Sequence, residues 1–332
     1  MDNYPTVTFI MPAYNVEKFI GEAIMSLQSQ TIKDWKLTII DDCSTDSTLK
    51  IARSFAEKDT RITVVQMDKP SGSAYQPRKK AIISAKTEWV APLDADDWVE
   101  KNYLEKLLKQ LLETGVDLIY PTMFRVIDRD DKGNIIAPRD KNIYKNIIKG
   151  RDCIKYTLCG WKINANGGII RKSIYEEAYS RFDSSLTYFC ADELLTRQLL
   201  FLAPNVAFSE TKYYYRDNPT SITKRIDVGS FDFIINNIEL IKFTEKFYGK
   251  KSEEYTLAQK QNFEGYFQGI KLLSHKGFSQ DIKEAGKKLI LMSRKSIDSN
   301  TLNNFPGWKY KLLYRTGFDF TKFVLKLIGN VN

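Results

Sequence analysis

The sequence predicts an α/β fold, with a parallel sheet covered by helices on both faces and a helical region after it. Three observations predict this. Short apolar runs alternate with helically spaced apolar residues from Val7 to Tyr120, the pattern of βαβ units. Polar clusters recur at the carboxyl ends of those apolar runs. From about Phe231 the chain turns lysine-rich and helical, with few strand signals.

Each element has its own signal. Val7 to Met11 is an apolar run stopped by Pro12, and reads as a strand. Ile20, Ala23, Ile24 and Leu27 fall at helical spacing, which predicts a helix over about Lys18 to Gln30. Leu37 to Ile40 is the second strand; Ser44 to Ser47 supply cap and turn residues before a helix through Ile51 and Phe55. Ile62 to Val65 and Trp89 to Leu93 are further strands, with a helix over Pro77 to Ala85 between them. A helix over Lys101 to Leu112 and a strand over Leu118 to Tyr120 follow. The charged stretch Asp128 to Lys141 reads as an exposed loop, and the chain from 121 to 225 is mixed. A boundary is expected near Arg225 to Gly229, giving a first domain over 1–225 and a helical domain over 226–332.

Composition narrows the function. At 332 residues, with 27% charged and 43% hydrophobic residues, the chain can bury a sizeable core and is not disordered. No apolar run reaches the ~20 residues of a spanning helix. The first residues, MDNYPTVTFIMP, lack a basic start and a cleavable apolar stretch, so a cytoplasmic protein is expected. The four cysteines show no CxxC spacing, and the single histidine, His275, excludes chemistry that needs two. A net charge of +9 favours anionic partners. No nucleic-acid recognition motif accompanies it, so nucleic acid is not expected as a partner.

Ligands of such sheets bind beyond the carboxyl ends of the strands. There the sequence reads PAYN after the first strand, DDCSTD after the second and DADD after the fourth. Asp94, Asp96 and Asp97 repel one another unless donors or a cation compensate, and a hard divalent cation is the natural partner of such a set. The plainer alternative is that Asp97 caps the next helix. A carboxylate of Asp41 or Asp42 can accept from a base or ribose, while Ser44 or Asp46 can equally serve as a helix cap. Ser71 to Arg78 is a small-residue loop before a helix, which lets a ligand approach the backbone, and Arg78 can pair with a phosphate.

Taken together, VTFIMPAYNVEKFIGEAIMSLQSQT, LTIIDDCSTDST, SGSAYQPRKKAI and EWVAPLDADDWV resemble, in order and spacing, the family 2 glycosyltransferases of the GT-A fold. The resemblance covers roughly the first 225 residues. It implies a Rossmann-like, nucleotide-sugar-binding mixed sheet, with residues 1–225 as the catalytic domain. It also implies that Pro12, Ala13, Tyr14 and Asp42 hold the uracil and ribose of a UDP-sugar, and that Arg78 contacts the nucleotide or its phosphates. Asp94 is then expected to face the ribose or donor sugar, and Asp96 to carry Mn2+ or Mg2+. Many relatives supply a histidine as a further metal ligand; none stands in a matching position here, so water and phosphate oxygens are expected instead. Neither GxGxxG nor GxxxxGK[ST] is present, against dinucleotide and P-loop alternatives.

Inverting members open a helix with an acidic pair. Here Ala191-Asp192-Glu193 precedes LLTRQLLF, so Asp192 takes the general-base position and Glu193 is the reserve. The run YYYRDNPTSITK resembles a segment that follows the catalytic helix, and implies that Arg216, Ser221 and Lys224 meet the diphosphate or acceptor. The expected activity is inverting hexosyl or N-acetylhexosaminyl transfer to a glycan, lipid-linked or teichoic-acid-like acceptor. Rival readings are an inactive nucleotide-sugar-binding scaffold and a sugar nucleotidyltransferase. Residues 305–332 mix aromatics, leucines and basic residues with a single acid, Asp319. Such a stretch suits internal packing, a homo-oligomer contact, or peripheral attachment at the inner face of the cell membrane.

Overall fold

The structure is a computed structural model describing residues 4–126, 137–138, 147–163, 167–182, 190–218, 227–302, 305 and 307–329; for 137–138 and 325–329 only the backbone is described. The chain divides into two compact units. One comprises Met1–Thr157, Trp161–Thr187 and Leu195–Pro219; the other comprises Leu158–Gly160, Tyr188–Leu194 and Thr220–Asn332.

The first unit holds the sheet. In chain order its elements are β1 (Val7–Ala13), α1 (Ile20–Gln28), β2 (Trp35–Asp41), α2 (Thr48–Ala56), β3 (Ile62–Gln66), α3 (Tyr75–Ser84), β4 (Trp89–Pro92), β5 (Trp98–Val99) and α4 (Tyr103–Thr114). Then come β6 (Leu118–Val126), β7 (Ala137–Pro138), β8 (Ile148–Lys149), α5 (Gly150–Cys153), β9 (Ile169–Arg171) and α6 (Lys172–Arg181). Helix α7 (Ala191–Leu202) precedes the last strand, β10 (Asn205–Arg216). The strand order is β3-β2-β1-β4-β9-β6-β10-β5, with β7 beside β6 and β8 beside β10.

Strands β1 to β4 are parallel, as the alternation predicts: Val7 lies beside Trp35 and Trp89, and Leu37 beside Ile62. Most residues of β1, β2 and β4 are buried, as in strands covered on both faces, which explains their apolar runs; of β3, at the edge of the sheet, only Ile62 is buried. The purely parallel sheet expected from alternation alone is corrected here. β9 runs antiparallel to both β4 and β6, and β5 antiparallel to β10, so the sheet is mixed, as the family resemblance implies. Within the charged stretch expected to be a loop, Ala137–Pro138 pairs with Phe124 and Arg125 of β6; most of that stretch lies outside the described residues. Helix α4 ends at Gly115, whose left-handed φ of 64° suits a residue without Cβ.

The turn into β3 is fastened by charge. Asp59 accepts from Arg61 Nη2 at 2.7 Å, from Arg61 Nε at 2.9 Å and from Gln28 Nε2 at 3.0 Å, while the guanidinium lies 3.7 Å from the Trp35 ring centroid. The Arg61 hydrogen bonds hold the Asp59 carboxyl well below the usual carboxylate range. Because the folded value is depressed, the stabilisation is complete above the unfolded value of ~4 and drains away as pH falls below it. Asp59→Asn is expected to cost about 1 kcal/mol at pH 7, with the gap from the parent closing in acid; urea unfolding along a pH series measures it.

The second unit is helical: α8 (Asp232–Tyr248), α9 (Glu253–Leu272), α10 (Gln280–Lys295), α11 (Ser299–Leu302), α12 (Trp308–Thr316) and α13 (Phe318–Gly329). Ser252 and Ser279 cap α9 and α10 by accepting from Tyr255 N and Ile282 N. Its core gathers Phe231, Ile234, Phe263, Tyr266, Phe267 and Ile290 among others. Gly286 lies against the Phe231 ring, so closely that a Cβ there would collide with it.

Candidate active site

The polar clusters after β1, β2 and β4 lie at one edge, because these three strands are parallel neighbours. Ala13, the last residue of β1, accepts from Asp42 N at 2.8 Å. Beyond it Asn15 turns with a left-handed φ of 51°. Its Oδ1 accepts from Thr45 N at 2.8 Å, and its own N–H donates to Ser44 Oγ at 3.0 Å. Glu17 N donates to Asp46 Oδ2, and Ser47 N donates back to Glu17 Oε2. Asp46 Oδ1 also accepts from Thr48 N, so Asp46 is the acid that serves the start of α2. Burial pushes its carboxyl up, but hydrogen bonds from Thr48 and the Glu17 backbone outweigh this and hold it below the ordinary value. Much of the DDCSTD run therefore fixes the loops flanking Tyr14.

The two adjacent acids have different surroundings. Asp41 is fully buried; its Oδ2 accepts from Ser44 N at 3.1 Å, while Oδ1 meets no hydrogen-bond partner among the described residues. Asp42 accepts Ser71 N on one oxygen and Ser71 Oγ on the other, each at 2.8 Å, which draws the small-residue loop onto the end of β2. That loop leads into α3, where Arg78 is buried and its Nη2 donates to Asp94 Oδ1 at 2.8 Å. The sequence-selected Asp42, Arg78 and Asp94 are thus linked through one loop and one helix.

The DADD turn is held from below by the end of β10. Asp97 does not cap α4, the alternative open at the sequence level; α4 starts at Tyr103, and Asp97 is buried beneath the turn. It accepts from Tyr213 Oη at 2.7 Å and from Arg216 N at 2.8 Å. Burial, then the charges of Asp96 and Asp94, push its carboxyl well above the ordinary range. The Tyr213 hydroxyl also accepts from Asp94 N at 3.3 Å. Arg216 donates from Nε to the Asp96 carbonyl at 2.8 Å and from Nη2 to Glu22 Oε2 at 2.6 Å. Its guanidinium lies between the Phe19 and Trp98 rings, at 4.8 and 4.5 Å from their centroids. These contacts give Arg216 a role in tying the DADD turn to α1. Asn218 Nδ2 donates to Asp96 Oδ2 at 3.1 Å.

Tyr213, Asn218 and Glu22 were missed at the sequence level. The run YYYRDNPTSITK contains Tyr213 and Asn218, but nothing in one sequence says that it folds back beneath an aspartate cluster. Tyr213→Phe keeps the ring and removes a donor to a buried carboxylate. It is expected to cost ~1–3 kcal/mol, read as a lower urea midpoint at unchanged slope.

A divalent cation fits this turn by donor chemistry. Burial first, then the Asp94 charge, raise the Asp96 carboxyl above its ordinary value; a cation would offset the second of these. Both groups offer hard oxygen donors. Among the described residues no group of three or more His, Cys, Asp or Glu could hold a metal, so a bound ion would take its other ligands from phosphate and water.

Asp192 and Glu193 belong to the second unit and open α7. Acids there suit the positive end of the helix dipole. Asp192 Oδ1 accepts from Glu193 N at 3.0 Å, and Glu193 Oε2 accepts from Asn236 Nδ2 of α8 at 3.2 Å. Ser221 and Lys224 lie outside the described residues.

A mixed sheet with an acidic turn at the carboxyl edge of its parallel strands, fed by a small-residue loop and an arginine, is the layout of a GT-A sugar-transferase domain. A sequence model of glycosyl transferase family 2 matches residues 8–177, and the chain belongs to that family. Among relatives, the Bacillus subtilis protein TuaG, named for teichuronic acid biosynthesis, is 34% identical over 157 residues, covering 47% of this chain and 60% of TuaG. The poly(ribitol-phosphate) beta-N-acetylglucosaminyltransferase TarS of Staphylococcus aureus is 29% identical over 210 residues, covering 62% of this chain and 34% of TarS. The crystal structure of TarS residues 1–349 with UDP-GlcNAc superposes with a TM-score of 0.67 over 89% of this chain and 82% of that one, at 19% identity, a likeness of fold. This chain thus spans three fifths of TuaG and about a third of TarS.

Proposed function

We propose that the chain transfers a hexosyl or N-acetylhexosaminyl group from a UDP-sugar to a hydroxyl of a cell-surface polymer, with inversion at the anomeric carbon. The observation that carries this reading is the DADD turn at the carboxyl edge of β4, linked through Asp94 and Arg78 to the loop that Asp42 anchors. Pro12, Ala13, Tyr14 and Asp42 line the place for base and ribose, and Arg78 and Asp94 the way to the diphosphate. Asp96 would hold Mn2+ or Mg2+, which when bound supplies positive charge to the leaving diphosphate. The names of the relatives support an anionic or lipid-linked acceptor: TarS is named for poly(ribitol-phosphate), and the Escherichia coli relative WfgD for a diphosphoundecaprenol acceptor. With such an acceptor the reaction would run at the cytoplasmic face of the cell membrane.

The chemistry is one displacement. The acceptor oxygen bonds to the anomeric carbon as the bond to UDP breaks, and Asp192 takes the hydroxyl proton. A UDP-α-sugar then gives a β-linkage. Glu193, whose Oε2 accepts from Asn236, is the reserve for that role. Ser221 and Lys224 are assigned to the diphosphate or acceptor by resemblance.

Calorimetric titration with UDP, with and without Mn2+, on the parent and on Asp96→Ala tests the donor site. Mn2+ is expected to tighten UDP binding by about tenfold or more, and Asp96→Ala to remove that gain. A parent that binds no UDP, or a variant with undiminished metal dependence, overturns the assignment.

A further inference from the structure

Helices α12 and α13 form a corner whose outer face belongs to no core. The inner face is fixed: Leu313 and Tyr314 join the helical core, and the Tyr314 ring lies 5.7 Å from that of Tyr266. Arg294 Nη1 donates to the Tyr314 carbonyl at 2.7 Å, and Tyr314 Oη donates to the Arg294 carbonyl at 3.1 Å. The corner turns at Gly317, with a φ of 97°, and Thr321 Oγ1 clasps it by bonding the Leu313 and Gly317 carbonyls. The pair is therefore held in place, and its outward face is built in.

That face is unusually apolar for an exposed surface. Of eleven large hydrophobic side chains exposed among the described residues, five lie between Trp308 and Phe323; Tyr310, at 43%, turns its ring onto Phe267 of the core at 5.0 Å, and the outward four are Trp308 at 70%, Phe323 at 59%, Leu312 at 55% and Phe320 at 51%. Trp308 and Leu312 are one turn apart on α12, and Phe320 and Phe323 one turn apart on α13. Lys309, Lys311, Arg315 and Lys322 are interspersed with them along the two helices, and the one acid of these helices up to Phe323 is Asp319. Lys287 adds a charge, with Nζ 5.3 Å from the Phe318 ring centroid.

We propose that this corner docks the protein on an anionic phospholipid surface. Aromatic and leucine side chains enter the headgroup boundary while the lysines and arginine meet the lipid charges, the division of labour of an interfacial helix. Among the described residues no helix is long and apolar enough to cross a membrane, so the mode is attachment to one face. The charge selects lipid over a second copy of the chain. A two-fold contact sets a patch against itself, and this one would bring its cations face to face. The inference stands apart from the assignment of donor and base.

Sedimentation of the full chain with vesicles tests it. The parent is expected to pellet with phosphatidylglycerol-containing vesicles, to be released by salt, and to stay in solution with phosphatidylcholine alone. Trp308→Ser/Phe320→Ser/Phe323→Ser, and separately Lys309→Gln/Lys311→Gln/Arg315→Gln, are each expected to lower partitioning by about tenfold or more. Unchanged UDP affinity and melting temperature would show that the variants remain folded. A parent that ignores anionic vesicles, or variants that partition like the parent, overturns the proposal. A dimer of the parent that both variants dissolve, without vesicle binding, assigns the face to a second copy.

Discussion

Asp192→Ala is expected to lower sugar transfer by about a thousandfold while leaving UDP affinity within a factor of two of the parent. Binding of the nucleotide is assigned to the sheet edge, where Asp42, Arg78 and the DADD turn are linked by hydrogen bonds. Proton removal is assigned to Asp192, in the first turn of α7. A positioned carboxylate contributes roughly two to four orders of magnitude as a general base. Asp192→Asn preserves shape and should lose as much, whereas Glu193→Gln keeps an acceptor for Asn236 and should lose little. Initial rates on a soluble acceptor, with UDP titration in parallel, measure both. A slow Glu193→Gln beside an active Asp192→Asn would exchange the two roles.

Arg216→Ala is expected to be the most destabilising single change at the site, costing about 3 kcal/mol and weakening donor binding with it. The side chain bonds the Asp96 carbonyl and Glu22 at once, and fills the space between Phe19 and Trp98. Its loss removes the ion pair with Glu22, opens a gap between two rings and leaves the DADD turn with one fewer tie. Lysine cannot restore this, because a single ammonium does not reproduce a planar fork that stacks and donates in two directions. The melting temperature should therefore fall for Arg216→Lys nearly as far as for Arg216→Ala. A role confined to contacting phosphate would instead leave melting unchanged and let lysine recover much of the affinity.

How much of this was legible beforehand follows from the range of each interaction. Strands β1, β2 and β4 announce themselves because burial on both faces demands unbroken apolar runs. Asp94 and Asp96 announce themselves because acids crowded at a strand end need compensation. What supplies that compensation within the protein was hidden: Tyr213 reaches Asp97 across 116 residues and Asn218 reaches Asp96 across 122. The order of the sheet was hidden for another reason. β5 has two residues and β9 three, too few to show a period, yet β9 stands between β4 and β6 and makes the sheet mixed. Arg216 was found by its segment, but its neighbours Phe19 and Glu22 come from the opposite end of the domain.

The place of β10 bears on where this gene can be cut. The family match stops at residue 177, whereas β10 begins at Asn205 and lies inside the sheet, with β6 on one side and β5 on the other. A fragment ending at the matched boundary would leave the β6 edge bare and β5 without its partner, inviting strand-to-strand aggregation. It would also strand the Asp97 carboxylate in the interior without either of its donors. The smallest piece worth expressing therefore runs past Asn218, well beyond the segment by which the family is recognised.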